Sequence, residues 1–345
     1  MTHPTRTGSP RLMRVDRRWF MAAIASGLLA IPLRSDAQQA GKIYRLGILY
    51  SQLPSTPPGQ GPFYDRMREL GWVYGRDFVA EERGFNGQYE RVPELGAELI
   101  RSGVDLFVVQ GGAEAVRMQP VTHKIPIVTT MAGDLVLSGV AASLGRPGGN
   151  VTGVQTLSSQ LIGKHFSLLR ETIPRLVRVG VLLHVSDPSS ITPFDAATLR
   201  EGEAAGKALD IVIQVVKAHA SGELEKAFAA FQAQRAQGIV ILRDAFMGAH
   251  LQTLADLALR YRLPAACEIA SFAQRGGLMS YGYDFDAALR TAAGIIDKIL
   301  RGANVSEVPI QQASTFRFTI NLRTAKTLGL TISPSLLAQA DQVIE

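Results

Sequence analysis

Short apolar runs alternate with segments of helical spacing along two successive stretches of this chain. In the first stretch, Ile43 to Tyr50, Asp77 to Glu82, Leu106 to Val109 and Ile125 to Thr129 read as strands. Phe63 to Leu70, Tyr89 to Ser102 and a segment opened by Gly111-Gly112 and running through Gln119 read as the helices between them. The second stretch repeats the plan. Its strands are Val177 to His184, Ile211 to Val216, Ile239 to Leu242, Ala265 to Cys267 and Leu278 to Tyr281. Its helices are Leu161 to Thr172, Phe194 to Leu209, Leu224 to Gln234 and Leu251 to Tyr261. Strands separated by helix-length segments imply parallel βαβ units, so the predicted fold class is α/β, with two doubly wound parallel-sheet lobes. The halves also align in pattern, YRLGILYSQ at 44–52 against VRVGVLLHVSD at 177–187. A common α/β blueprint produces such similarity without shared function.

Between the halves lies GRPGGNVTGVQ, Gly145 to Gln155, with four glycines, a proline and an asparagine within nine positions. That composition excludes a helix and predicts a short extended crossing beside a cleft, with Gly149 expected to need a positive φ. Further on, Asp286 to Leu300 is an amphipathic helix stopped by Gly302, whose place in the order sends it back to the first lobe. Val308 to Gln311 and Phe316 to Ile320 read as strands, and TAKTLGL and SPSLLAQADQVIE as terminal helical pieces.

Composition changes the picture mainly at the N-terminus. The chain has 345 residues, enough for two domains with separate cores, and 46% hydrophobic against 19% charged residues mark it as globular. The pI of about 9.5 suggests a nucleic-acid partner, but six arginines against Asp16 and Asp36 give residues 1–37 a net of +4 out of the total of +6. What remains is only +2, without a basic patch interleaved with aromatics, so no nucleic acid is expected. Those same residues read as a signal peptide: an arginine-rich start, the 15-residue apolar run from Trp19 to Leu33, and Ser35-Asp36-Ala37 with cleavage after Ala37. Arg17-Arg18-Trp19-Phe20 resembles a twin-arginine signal, and Asp16 at a position that prefers Ser or Thr leaves the export route open. The expected location is the periplasm. Cys267, the one cysteine, stands in the apolar LPAACEIA and reads as a buried core thiol.

Enzyme signatures are absent: there is no G-x-G-x-x-G after a strand, G-x-S-x-G elbow, Walker A pattern or H-E-x-x-H. The six histidines lack metal-ligand spacing, and His123 and His165 read as solvated or satisfied. Catalytic residues, metal and cofactor are all expected to be none. Glu81 and Glu82 alternate across a strand and cannot both face one site.

Several segments resemble the ABC-transporter substrate-binding family that includes tryptophan- and tyrosine-type binding components. They are LGRPGGNVTGV at 144–154, GKHFSLLRETIPRLVRVGVL at 163–182, the run from Gly276 to Ala303 and the run from Phe318 to Glu345. Arg317 departs from the pattern, where many members carry an acidic residue, and is expected at the surface. The resemblance implies a type I periplasmic-binding fold with a three-strand hinge and ligand in the cleft between lobes. It also implies delivery of the solute to a membrane permease energised by a cytoplasmic ATPase. The expected lobes are 41–153 plus 284–308, and 154–283 plus 309–345, in a monomer.

Ligands of open α/β sheets bind beyond the carboxyl ends of the strands. The candidate ligand-binding residues are therefore Ser51, Gln52, Gly111, Gly112, Thr130 and Met131 from the first lobe, and Asp187, Arg243, Glu268 and Tyr281 from the second. Free N–H groups at Gly111-Gly112 are expected to hold a carboxylate, Asp187 or Glu268 to pair with an amino group, and Arg243 with a second anion. The expected function is solute binding, the solute being an amino acid or related carboxylate. The alternative is a secreted α/β enzyme using the same cleft; a sugar-type transcription regulator would need an N-terminal DNA-binding module where this chain has a leader.

Overall fold

The computed structural model describes Met1 and residues 42–156, 158–186 and 191–345. The expected leader at 1–37, past Met1, and Asp187 lie outside the described residues. In the first half the strands are β1 (Tyr44–Tyr50), β2 (Phe78–Gly84), β3 (Leu106–Val109), β4 (Ile127–Ala132) and β5 (Val151–Gln155). The helices α1 (Pro62–Glu69), α2 (Val92–Arg101) and α3 (Gly112–Met118) alternate with them. The second half holds α4 (Leu161–Thr172), β6 (Arg178–His184), α5 (Pro193–Ala208), β7 (Val212–Ala218), α6 (Leu224–Ala233) and β8 (Gly238–Ile241). It continues through α7 (Ala245–Ala249), α8 (Leu251–Arg260), β9 (Ala265–Cys267), α9 (Ser271–Gln274) and β10 (Met279–Tyr283). The tail is α10 (Phe285–Leu300), β11 (Gln311–Gln312), β12 (Phe316–Asn321), α11 (Leu322–Leu328), α12 (Pro334–Leu337) and β13 (Gln342–Ile344).

The strands form two sheets, ordered β11-β5-β4-β3-β1-β2 and β13-β12-β10-β9-β8-β6-β7. All pairs are parallel except β10 with β12. Each sheet therefore starts with the doubly wound order 2-1-3-4-5 and is covered on both faces, as parallel sheets require. In β1 and β3, Leu46, Ile48, Leu106 and Val108 pack under α1 and α10, while Leu49, Phe107 and Val109 pack under α2 and α3. The second sheet repeats this, with α6, α8 and α9 on one face and α4, α11 and α12 on the other. Cys267 is fully buried in the second lobe, and burial pushes its thiol up to about 12.

Helix α10 returns to the first lobe, as its place in the order predicted. Trp72 donates from Nε1 to Asp297 at 2.8 Å, and Arg290 pairs with Glu69 at 2.7 Å. The chain crosses between lobes after Gln155, at Asp284 and between Gln312 and Phe316. Asp284 caps α10 by accepting from the N–H groups of Asp286 and Ala287, and accepts from Arg317 Nη2 at 2.7 Å. Its own N–H donates to the Thr315 carbonyl, and Ala313 N–H donates to Gln155, so the crossings are bound to one another. Burial alone would raise the Asp284 carboxyl, but Arg317 and the helix N–H groups more than offset it and hold the carboxyl below its ordinary value. Arg317 is thus half-exposed but tied into the hinge.

Three expectations need correction. The glycine segment is not the crossing: Val151–Gln155 is a buried strand of the first sheet, and the crossing begins after it. Strand β11 pairs with β5, so the first sheet extends to Gln312, beyond the expected limits at 153 and 308. The C-terminus ends in a strand, β13, because the residues after α12 pair with β12 instead of continuing as helix.

Positive φ falls at Gly148 and Gly153, not at Gly149. At Gly153 (φ 140) a Cβ would collide with the backbone of Thr129 on the neighbouring strand, whereas Gly149 meets nothing closer than 3.9 Å. Gly153→Ala should therefore cost ~3 kcal/mol from strain and overlap together. Gly149→Val should stay within about 1 kcal/mol. Urea unfolding of the two variants checks the contrast.

Candidate ligand-binding cleft

The carboxyl ends of both sheets meet across one cleft, and side chains already bridge it. On the first lobe, β3 ends at Val109 and α3 starts after Gly111, whose extended backbone (φ −130) forms the N-cap. Glu114, three residues on, is buried at 2% exposure. Its carboxyl folds back over the helix start and accepts from its own backbone N–H; a Cβ on Gly111 would lie 2.8 Å from Oε2. Burial pushes Glu114 up to about 7, opposed by its own N–H and by Arg243. Arg117 lies with its guanidinium carbon 4.8 Å from the ring centroid of Tyr89 and donates across the cleft to Ser186 Oγ at 3.3 Å.

On the second lobe, Arg243 follows β8 and reaches over the cleft. Its Nε donates to Glu268 at 3.2 Å, and its Nη2 to the Met131 carbonyl at 3.1 Å and to Thr156 Oγ1 at 3.4 Å. Asp244 caps α7 through Met247 N–H and meets His184 Nδ1 at 2.5 Å. His184 stacks on Phe246 at 4.2 Å and on Tyr89 at 6.0 Å. The Tyr89 hydroxyl in turn accepts from Ala245 N–H at 2.9 Å. Gln52 donates to the Ala249 carbonyl at 3.1 Å, and Phe194 of α5 lies against Gly133. The lobes are closed on each other.

The structure brings Gln52, Met131, Arg243 and Glu268 together at this contact, but in roles other than those expected. Arg243 and Glu268, assigned to separate charges of a ligand, pair with each other because both are largely buried and each neutralises the other. At Gly111-Gly112, where a carboxylate was expected, the Glu114 carboxyl already lies against Gly111 and accepts from its own N–H. Ser51 N–H donates to Gln110 Oε1 at 3.0 Å. Thr130 is buried, and its hydroxyl has no partner among the described residues. Tyr281 points elsewhere: its ring stacks on Phe316 at 5.7 Å, edge-on to Phe318 and His165. Burial lowers the pKa of His165, whose Nε2 donates to the Tyr281 carbonyl at 2.8 Å. Glu114, Tyr89 and Arg117 were missed. Glu114 had a signal, since the third helical position is where a glutamate reaches back to the cap. Tyr89 and Arg117 had none, because both act across the cleft. Among the described residues, no group of three or more His, Cys, Asp or Glu is placed to hold a metal ion.

Between its ordinary value of 4.5 and about 7, Glu114 keeps a proton in the folded protein that the unfolded chain has lost. The native state then binds more protons, so stability falls as pH rises through this window, by up to about 3 kcal/mol. Melting curves across the window should show this slope in the wild type and lose it in Glu114→Gln. Glu268→Gln leaves Arg243 largely buried and uncompensated. It should cost ~3 kcal/mol and enlarge the radius of gyration seen by small-angle scattering.

A protein of Clostridioides difficile (strain R20291) named tyrosine-binding protein is 20% identical over 283 residues, 80% of this chain and 78% of its own length. An ABC domain from Streptococcus pneumonia, solved in complex with L-Trp, superposes with a TM-score of 0.75 at 20% identity, over 88% of this chain and 100% of its own. A conserved domain protein from Vibrio cholerae gives a TM-score of 0.75 at 22% identity, again over 88% and 100%. These likenesses carry the fold, two doubly wound lobes of the type I periplasmic-binding kind. Residues 67–344 match the family described as ABC transporter substrate binding protein, and the chain belongs to that family.

Proposed function

We propose that the protein is the exported solute receptor of an ABC uptake system, closing its lobes on a small molecule and presenting the closed form to a permease driven by a cytoplasmic ATPase. The observation that carries this reading is the cleft itself. Loops at the carboxyl ends of both sheets meet through exchangeable polar contacts, while three short crossings join the lobes. A ligand that contacts both lobes shifts such a pair toward closure by its differential affinity for the closed form. The arginine-rich leader supports a periplasmic location, and no helix among the described residues is long and apolar enough to cross a membrane.

The solute is an amino acid or related carboxylate. Relatives named for tyrosine and solved with L-Trp support that class. The protein binds without turnover, as a monomer. Its one thiol, raised to about 12 by burial, is no nucleophile at neutral pH.

Thermal-shift measurements on the mature chain from Gln38, against amino acids, aromatic acids and nucleosides, test the reading. A solute at 100 times its Kd adds about 2.7 kcal/mol. A rise in Tm with unchanged solute recovered afterwards is expected; conversion of the solute would instead establish the enzyme alternative.

A further inference from the structure

Closing the lobes seals a carboxyl inside the contact between them. The second-lobe stretch from Arg243 to Phe246 lies on the first lobe beside Tyr89 and Glu114. Ala245 packs against the apolar cluster that holds Phe85 and Tyr89, and donates its N–H to the Tyr89 hydroxyl. The Phe246 Cα comes so near Gly87 that a Cβ there would lie only 3.2 Å away. Arg243 reaches the Met131 carbonyl from one side, and Arg117 reaches Ser186 from the other. Behind this seal Glu114 is 2% exposed, although α3 starts at the carboxyl edge of its sheet.

The groups around that carboxyl do not neutralise it. Arg117, one turn along the same helix, lies over the Tyr89 ring and donates to the Ala113 carbonyl and to Ser186. Tyr89 stays a neutral phenol, since burial raises it well above its ordinary value. From the second lobe, Arg243 donates to Glu268, Met131 and Thr156, and Asp244 is hydrogen-bonded to His184. Asp195 stands behind Asp244 and His184. None of these forms an ion pair with Glu114, whose carboxyl accepts from its own N–H. Removing an unpaired carboxylate from water costs several kcal/mol, so the group is buried as the neutral acid. Burial is the largest influence on it, opposed by its own N–H, Arg243 and Arg117 and reinforced by Asp244. The balance keeps the acid form up to about 7, against an ordinary value of 4.5.

We infer that closure of the lobes takes up one proton at Glu114, so that the receptor closes on its solute more readily as its surroundings acidify. This coupling rests on the receptor reading above, since only lobes that open and close have such a step. In the open form the start of α3 faces water, and Glu114 ionises as an ordinary carboxylate. In closing, a proton from solvent joins a carboxylate oxygen, and the neutral group enters the contact with Arg243 and Asp244. The closed form binds more protons than the open form between 4.5 and about 7. Closure is therefore favoured by acid and lost as pH rises through the upper limit of that window.

Small-angle scattering of the solute-free mature protein, from about pH 5.5 to about pH 8.5, tests the coupling. The wild type should be compact at the acid end and show a larger radius of gyration at the alkaline end. Glu114→Gln, neutral and of the same shape, should stay compact throughout. His184→Asn, which keeps a donor toward Asp244 but cannot titrate, should still open as pH rises. Calorimetric titration with L-tryptophan as the probe adds the bound state. Its affinity should be at least about tenfold higher at the acid end in the wild type, and nearly constant in Glu114→Gln. A wild-type radius that does not change with pH overturns the coupling. So does a change that survives in Glu114→Gln or vanishes in His184→Asn. L-tryptophan bound equally at both ends overturns the coupling and leaves the receptor standing. Failure of L-tryptophan to bind counts against the amino-acid solute, and the scattering then decides the coupling.

Discussion

One carboxylate at a lobe crossing ties together parts of the chain that would otherwise move apart. Asp284 follows β10 of the second sheet, caps the helix that returns to the first lobe, and pairs with Arg317 on β12, where the chain has come back to the second sheet. Charge-assisted bonds of this kind are about twice as strong as neutral ones. The pair is also partly shielded from solvent, so it is screened less than a surface pair. The relative placement of the two carboxyl edges depends on this junction, and every contact across the cleft depends on that placement.

The cleft is polar but internally satisfied. Arg243 answers Glu268, Asp244 answers His184, and Glu114 caps its own helix. Groups partnered in this way brace the closed form and leave few of their hydrogen-bonding positions for a ligand.

Much of the fold was legible because its strands are buried on both faces. LFVV at 106–109 and AAC at 265–267 took their expected bounds, and α4 matched residue for residue. Such apolar runs have no other stable use than the middle of a covered parallel sheet. The glycine segment misled because its composition reports local backbone needs, at Gly148 and Gly153, and not its position relative to the lobes. The tail misled because DQVIE has no pattern of its own; it becomes a strand only through the partner offered by β12. At the site, residue types at strand ends indicated which loops face the cleft. They could not say that Arg243 and Glu268 would find each other, since their 3.2 Å contact is set by the spacing of β8 and β9.

The first lobe is not a continuous piece of chain. After β5 ends at Gln155, its covering helix α10 and edge strand β11 are not made until residues 285–312. At about 5–20 residues per second, the wait during synthesis is roughly ten to thirty seconds. Through that interval the face formed by Leu46, Ile48, Leu106 and Val108 lacks half of its cover, and β5 lacks its outer neighbour. The lobe that begins first therefore finishes late, and the nascent chain stays open and accessible to chaperones until residue 312 has emerged from the ribosome.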